Sequence, residues 1–138
     1  MWHQQKIQLT TNGRESIEIS DQVAGIVRES GVQTGLAHVF VQHTSASIML
    51  CENADPTVRV DLEMLLSRLA PDGDPAYRHN FEGDDDMAAH GRSVLTTNDI
   101  TLPIANGDLA LGTWQGLYLW EHRYQPHRRS IMITIQGE

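Results

Sequence analysis

The chain has 138 residues, of which 40% are apolar and 20% charged, values of an ordinary soluble domain with a sizeable core. Eighteen acids against ten bases give a net charge of −8, which argues against general nucleic-acid binding and against an anionic membrane surface. The single cysteine, Cys51, excludes an internal disulfide and fits a reducing compartment. No apolar run reaches the length of a membrane span, and Met1-Trp2-His3-Gln4-Gln5 lacks the basic and apolar regions of a signal peptide, so a cytoplasmic location is expected.

Lys6-Ile7-Gln8-Leu9-Thr10 and Ser16-Ile17-Glu18-Ile19 alternate polar and apolar residues around Asn12-Gly13, the pattern of two strands joined as a hairpin. Ser20 or Asp21 can cap a helix carrying Val23, Ile26 and Val27, which stops at Gly31. Gly35 to Gln42 is almost continuously apolar and reads as a strand covered on both faces, with Ser45 to Cys51 as its partner strand. Cys51 reads as a small buried residue in that strand. Asp55 and Pro56 then open a helix whose apolar stripe is Val58, Leu62, Leu65 and Leu69; Asp61 lies beside the stripe and needs a partner if buried.

From His79 to Asp86 the chain is polar and loop-like, and a short helix is expected from about Asp86 to Val94. Strands follow at 100–104, 109–111, 117–120 and 131–135, with Asn106-Gly107 as a hairpin turn and Arg123 to Arg129 joining the last two strands. The expected architecture is α+β, a single domain over 1–138 with largely antiparallel sheets packed as a sandwich and two or three helices.

Several groups could carry chemistry. His43-Thr44-Ser45 sits at a strand end, where an imidazole and hydroxyls can be held rigidly, although no Ser-His-Asp arrangement follows from chain order. Asp86 and His90 are four apart and share a face of a helix, able to bind a divalent metal or to pair as acid and base. Asp84, Asp85 and Asp86 can equally be the favourable start of a helix dipole. Glu82 and its acidic neighbours could hold a hard cation. Arg123, Arg128 and Arg129 could grip phosphate, or balance the acidic loop. In Gly112-Thr113-Trp114-Gln115-Gly116 the indole offers a flat surface for a ring.

Taken in order, His43-Thr44-Ser45-Ala46-Ser47, Glu52-Asn53-x-Asp55-Pro56-x-Val58-x-x-Asp61, Tyr77-x-His79, Glu82-Gly83, Asp86-x-x-Ala89-His90, Leu102-Pro103, Gly107, Gly112 to Gly116, Glu121 and Ile135 to Glu138 resemble the pattern of the YjbQ family over nearly the whole chain. Asp86 stands where many relatives have Asn, Ala88 replaces a common proline, and Thr97 stands where a glycine is expected. The family is also called the secondary thiamine-phosphate synthase family. The resemblance implies a compact α+β domain that assembles as a homotrimer and joins hydroxymethylpyrimidine diphosphate to a thiazole phosphate, releasing pyrophosphate, as a secondary activity.

Set beside that chemistry, His43, Ser45, Glu82 and Arg123 stand as expected catalytic residues. Asn53, Trp114, Gln115, Glu121 and Arg128 are expected to bind a small phosphorylated metabolite, and His79, Asp86 and His90 to hold a divalent metal, Mg or Zn. A metal- or phosphometabolite-binding module without turnover, and a metal-dependent hydrolase, are the alternatives.

Overall fold

The computed structural model describes residues 1–138 and is α+β, with three helices and two antiparallel sheets. In chain order the elements are β1 (Trp2–Thr10), β2 (Ser16–Glu18), α1 (Ser20–Ser30), β3 (Thr34–Val41), β4 (Ala46–Glu52), α2 (Thr57–Leu69), α3 (Asp84–Leu95), β5 (Asp99–Ala105), β6 (Asp108–Leu109), β7 (Gln115–Glu121) and β8 (Arg128–Gly137). The five-stranded sheet runs β1-β8-β3-β5-β6 and the three-stranded sheet β2-β7-β4. Their facing residues share one core: Ala37, Val39, Leu102, Ile131 and Ile133 from the larger sheet meet Ile48, Leu117 and Leu119 from the smaller, and α1 adds Val23, Ile26 and Val27.

Local chemistry explains most element ends. α1 stops where Gly31 takes φ 76°, a left-handed conformation that costs glycine nothing, and its amide returns to the Arg28 carbonyl. Asp55 accepts hydrogen bonds from the Thr57 amide and hydroxyl, fixing the start of α2. Asn106 and Gly107 both have positive φ, the geometry of a two-residue turn matched to strand twist, and they join β5 to β6. At the start of α1, Ser20 does not cap the helix; its hydroxyl donates to Glu18 and accepts from the Leu117 amide.

Strand pairing departs from the sequence reading in four places. β1 and β2 are not a hairpin, because β1 pairs with β8 and β2 with β7, in different sheets. β4 pairs with β7 rather than with β3, whose neighbours are β5 and β8. β7 and β8 are likewise joined by a crossing between sheets. The strand expected at 109–111 shortens to Asp108–Leu109. The first three share one cause: short connections suggest neighbours, and a sandwich uses the same short connections to change layer.

Burial corrects three more expectations. β3 is covered on one face only, with Ala37, Val39 and Val41 inward and Leu36 and Phe40 facing out, since no helix covers the outer face of the larger sheet. α2 turns Leu62 and Leu66 to the smaller sheet together with Arg59 and Glu63, which bond the Tyr118 hydroxyl and the Trp120 indole N–H. Polar hooks on that sheet face therefore rotate the helix and leave Leu65 and Leu69 exposed. Asp61 is exposed and needs no buried partner.

Gly35 lies so close to β8 that a Cβ there would stand 2.1 Å from the Gln136 carbonyl oxygen and 2.7 Å from Gly137 Cα. Gly35→Ala is expected to lower unfolding free energy by at least about 1–3 kcal/mol through overpacking against backbone. Gly25→Ala in α1, where nothing lies within 4 Å of the new methyl, is expected to raise it by up to about 1 kcal/mol. Urea titration of both variants checks the pair.

Candidate functional site

The start of α3 assembles the densest polar constellation. Gly83, at φ 105°, turns the chain into the helix, and three aspartates occupy the first turn where the helix dipole favours negative charge. Asp86 faces inward and is buried, and its Oδ2 lies 2.8 Å from His79 Nε2 and 3.4 Å from His90 Nε2. His90 reaches it from one helical turn further on, while His79 comes from the preceding loop. The two imidazole rings meet edge to face at 5.3 Å.

Arg123, just beyond β7, closes the other side of this corner. Its Nη1 donates to Asp86 Oδ1 at 2.8 Å, its Nε to Asp85 Oδ2 at 3.1 Å and its Nη2 to the Glu82 carbonyl at 3.0 Å. The Glu82 carboxylate itself lies on an exposed loop. Burial pushes the Asp85 carboxyl upward, but the Tyr124 amide and the Arg123 guanidinium outweigh it and hold it below the usual carboxylate range. One carboxylate thus has one oxygen clamped by arginine and the other facing two imidazoles. His79, Asp86 and His90 can each offer a ligand atom, all within 4.8 Å of one another. A cleft of about 160 Å³, lined by Tyr77, His79, Asn80 and Asp84 among others, opens beside them.

His43 and Ser45 occupy a different place and do not bond to each other. His43 Nε2 accepts the Ser130 amide proton at 2.8 Å, so a neutral ring carries its proton on Nδ1. Burial first, and then the Arg129 charge, push the His43 pKa below its ordinary value. Ser45 is buried, and both its hydroxyl and its carbonyl accept from Arg129 Nη2, at 2.9 and 3.1 Å. Arg129 Nε and Nη2 also bind the two oxygens of Glu121, which accepts a third bond from Thr11. Burial raises the Glu121 pKa, but the Arg129 and Thr11 hydrogen bonds prevail and bring it below the ordinary range. Glu121 is closed into this pair and fully buried, while Arg128 lies on the surface against Gln8. The three arginines near the end of the chain therefore point to three different places.

Asn53, Trp114 and Gln115 form a third group, at the start of β7. Gln115 Oε1 accepts the Gly112 amide and the Gln115 amide returns to the Gly112 carbonyl, so this side chain builds the turn. Asn53 fastens the turn through its backbone to the Trp114 carbonyl and through Nδ2 to the Gln115 carbonyl. A Cβ on Gly116 would stand 2.9 Å from Asn53 Cβ, so glycine permits this approach. The result is a braced indole, 63% exposed. Six residue steps of β7 separate this platform from Glu121, about 20 Å at strand rise. A single copy thus brings together His79, Asp86, His90 and Arg123, and separately Asn53, Trp114 and Gln115.

One buried group, His122, and two half-buried ones, Asp85 and Cys51, stand outside the expected set. His122 hydrogen-bonds the Ser47 hydroxyl through Nε2, leaves Nδ1 without a protein partner, and has its pKa pushed down to about 3 by burial, reinforced by Arg92, Arg14 and Arg129. The alternation Tyr118, Trp120, His122 places it on the same side as Trp120, with the two rings 5.2 Å apart, a signal the sequence did carry. Asp85 had no such signal to separate it from Asp84. Cys51 is half-buried and lines an apolar cleft of about 400 Å³ with Met49, Leu62, Leu66 and Trp120; burial pushes its thiol pKa up, away from a nucleophile.

Arg129→Met would strand a buried carboxylate, and a loss of about 3–5 kcal/mol in unfolding free energy is expected. Ser45→Ala, which leaves the ion pair intact, is expected to cost about 1–2 kcal/mol, and denaturant titration separates the two. His122 sets a pH dependence: the unfolded imidazole takes up a proton below about 6.5 while the folded one stays neutral to about 3. Stability is therefore full above pH 6.5 and falls as pH drops, by up to about 1.4 kcal/mol per pH unit. Urea titrations at pH 6.5 and 5, above most carboxylate titration, should show a shallower fall for His122→Asn than for the wild type.

No helix is long and apolar enough to cross a membrane. Residues 5–138 match the sequence profile of the family described as UPF0047 protein YjbQ-like. UPF0047 protein sll1880 of Synechocystis sp. is 47% identical over 136 residues, covering 99% of this chain and 92% of that protein. UPF0047 protein YjbQ of Salmonella typhimurium is 44% identical over the full length of both. A solved structure of the yjbq/upf0047 family from Clostridium acetobutylicum has a TM-score of 0.86 at 38% identity, covering 95% of this chain and 98% of its own. A YbjQ-like protein of unknown function from Sulfolobus solfataricus P2 gives 0.87 at 26% identity with full coverage of both. With the fold, the ordered motifs and full-length similarity in agreement, the chain belongs to the YjbQ/UPF0047 family.

Proposed function

We propose that this chain is a metal-dependent transferase of the thiamine-phosphate-synthase type, working as a cytoplasmic homotrimer on a small phosphorylated metabolite. The observation that carries the reading is the convergence of His79, Asp86 and His90 within 4.8 Å of one another, beside a cleft that His79 lines. Two imidazoles and one carboxylate suit zinc and its first-row neighbours better than magnesium, which prefers an all-oxygen shell. A divalent cation held there would neutralise the charge that gathers on a departing pyrophosphate.

In the transfer, the C–O bond to pyrophosphate breaks with its electron pair leaving on the phosphate oxygen. The thiazole nitrogen then forms the new C–N bond and becomes cationic, so no proton need move. The work of the chain is positional. Arg123 already spends its donors on Asp85, Asp86 and the Glu82 carbonyl, so it acts as a positioning residue that aims Asp86 Oδ2 at the two imidazoles. Trp114, at the other end of β7, offers an exposed flat face to an aromatic ring, and Asn53 and Gln115 hold that face rigid. His43, with Nε2 occupied by the Ser130 amide, offers Nδ1–H to substrate. Its neighbour Ser45 and the Glu121–Arg129 pair brace the strand ends rather than touch substrate.

A metal-dependent hydrolase is the second reading, favoured by the half-exposed His79 side chain and a three-ligand set that leaves room for a water. Isothermal titration with Zn²⁺ and Mn²⁺, paired with a synthase assay on both phosphorylated precursors, tests the proposal. The wild type is expected to bind one metal per chain. Asp86→Asn and His90→Ala are expected to weaken binding by about 10–100-fold or more and to abolish turnover. Turnover that survives both substitutions contradicts the proposal. Metal binding with phosphate release but no coupling favours the hydrolase, and metal binding with neither leaves a binding module.

A further inference from the structure

Just beyond β7, beside Arg123, stands a residue that the transfer chemistry leaves unused. His122 is fully buried, and its Nε2 meets the Ser47 hydroxyl of β4. Ser47 Oγ lies 2.7 Å from Thr96 Oγ1, and Thr96 Oγ1 donates to the Arg92 carbonyl at 2.6 Å. Arg92 belongs to the last turn of α3, so this line of contacts runs from the end of β7 through β4 to the C-terminal end of that helix.

The protons along this line have one arrangement. A carbonyl only accepts, so the single Thr96 hydroxyl proton goes to the Arg92 oxygen. Thr96 Oγ1 must then accept from Ser47, whose one proton is thereby used, and Ser47 Oγ can only accept from His122. The neutral imidazole that burial enforces therefore carries its proton on Nε2 and keeps a bare lone pair on Nδ1, where no protein donor meets it. Three donors in a row point at a helix C-terminus, the negative end of its dipole.

α3 bears Asp86 and His90, and its twelve residues make a rod about 18 Å long. Arg123 grips the start of the rod through Asp85 and Asp86. Towards the other end, Arg92 reaches Glu63 and Ser67 of α2, and Ser93 reaches the Ala46 carbonyl. The Ser47–Thr96 line adds a grip that returns to the strand end from which Arg123 emerges. We infer that His122 is a positioning residue of the His79–Asp86–His90 corner, whose Nε2–H starts a chain of hydrogen bonds holding the far end of α3 while Arg123 holds its start. Two neighbouring residues thus set the angle of the helix, and with it the place of His90 against His79 on the loop. The inference rests on the metal reading above for its consequence, though not for the direction of the chain.

The test breaks the chain at two points and mends it at one. His122→Leu removes the first donor, Ser47→Ala the second, and His122→Gln keeps an N–H at the reach of Nε2. Zinc affinity, read by isothermal titration, is expected to fall about 3–10-fold in each breaking variant, the effect of one hydrogen bond. It is expected to stay within about 2-fold of wild type in His122→Gln. The two breaks together are expected to cost no more than either alone, because both cut one chain. Circular dichroism melting confirms folding, and Ser47→Ala, the smaller change, carries the test if His122→Leu does not fold.

Two readouts need no metal. Proton–nitrogen NMR of the histidine side chains is expected to show His122 protonated on Nε2 and bare on Nδ1. The Thr96 amide, which donates to the same Arg92 carbonyl, is expected to exchange with solvent about 10-fold faster in the breaking variants and at the wild-type rate in His122→Gln. A proton on Nδ1, or unchanged Thr96 exchange in the breaking variants, overturns the chain. Zinc binding as tight in the breaking variants as in the wild type overturns the positioning role, as does a loss that His122→Gln does not rescue. A wild type that binds no zinc contradicts the metal reading and with it the role at the corner, while the metal-free readouts decide whether His122 holds α3.

Discussion

The buried pair between Glu121 and Arg129 is the interaction on which the rest of this molecule depends. Glu121 ends the middle strand of the smaller sheet and Arg129 lies at the start of β8, an interior strand of the larger one, so the pair fastens the two layers at one edge. Neither charge is left short of partners: Thr11 and the Arg123 amide complete Glu121, and both oxygens of Ser45 complete Arg129. Such full satisfaction is what makes a buried ion pair tolerable, since each unpaired charge in that position costs several kcal/mol. Its consequence reaches the candidate site directly. With the end of β7 fixed, Arg123 emerges two residues later at the place where it can clamp Asp85 and Asp86.

The polar residues then divide by how much hydrogen-bonding capacity they have left. Ser45, Glu121, Arg129 and the Gln115 side-chain oxygen Oε1 are committed to holding backbone and charge. His79, His90 and the Trp114 indole are held at one end and open at the other, which is the condition for meeting a ligand. Arg123 lies between these groups: it is saturated by protein and acts on the carboxylate beside it. Family membership fixes the fold around these residues, while the reaction follows only from which donors remain free.

Much of this was readable in the sequence where local chemistry decides the outcome. Gly31, the Asp55–Pro56 start, the Asn106–Gly107 turn and the four-residue spacing of Asp86 and His90 all act within one turn of chain, and each appears where expected. Partner choice was not readable, because β3 followed by β4 and β1 followed by β2 look the same whether the chain folds back or crosses to the other layer. Nor was the rotation of α2, which the Tyr118 hydroxyl and Trp120 indole decide from another strand. His43 and Ser45 read together as catalytic residues for the same reason: adjacency in sequence says nothing of the Arg129 and Ser130 groups that occupy both side chains. The separation of Trp114 from His79 is likewise a property of β7 and α2 as rigid spacers, invisible until both are in place.

Anomalous X-ray diffraction on crystals grown with Zn²⁺ or Mn²⁺ tests the central claim most directly. The account predicts one strong anomalous peak per chain, bonded to His79, Asp86 and His90, with Arg123 still on the second carboxylate oxygen of Asp86. Well-ordered crystals with metal bound elsewhere, or with no peak at these three side chains, would contradict it.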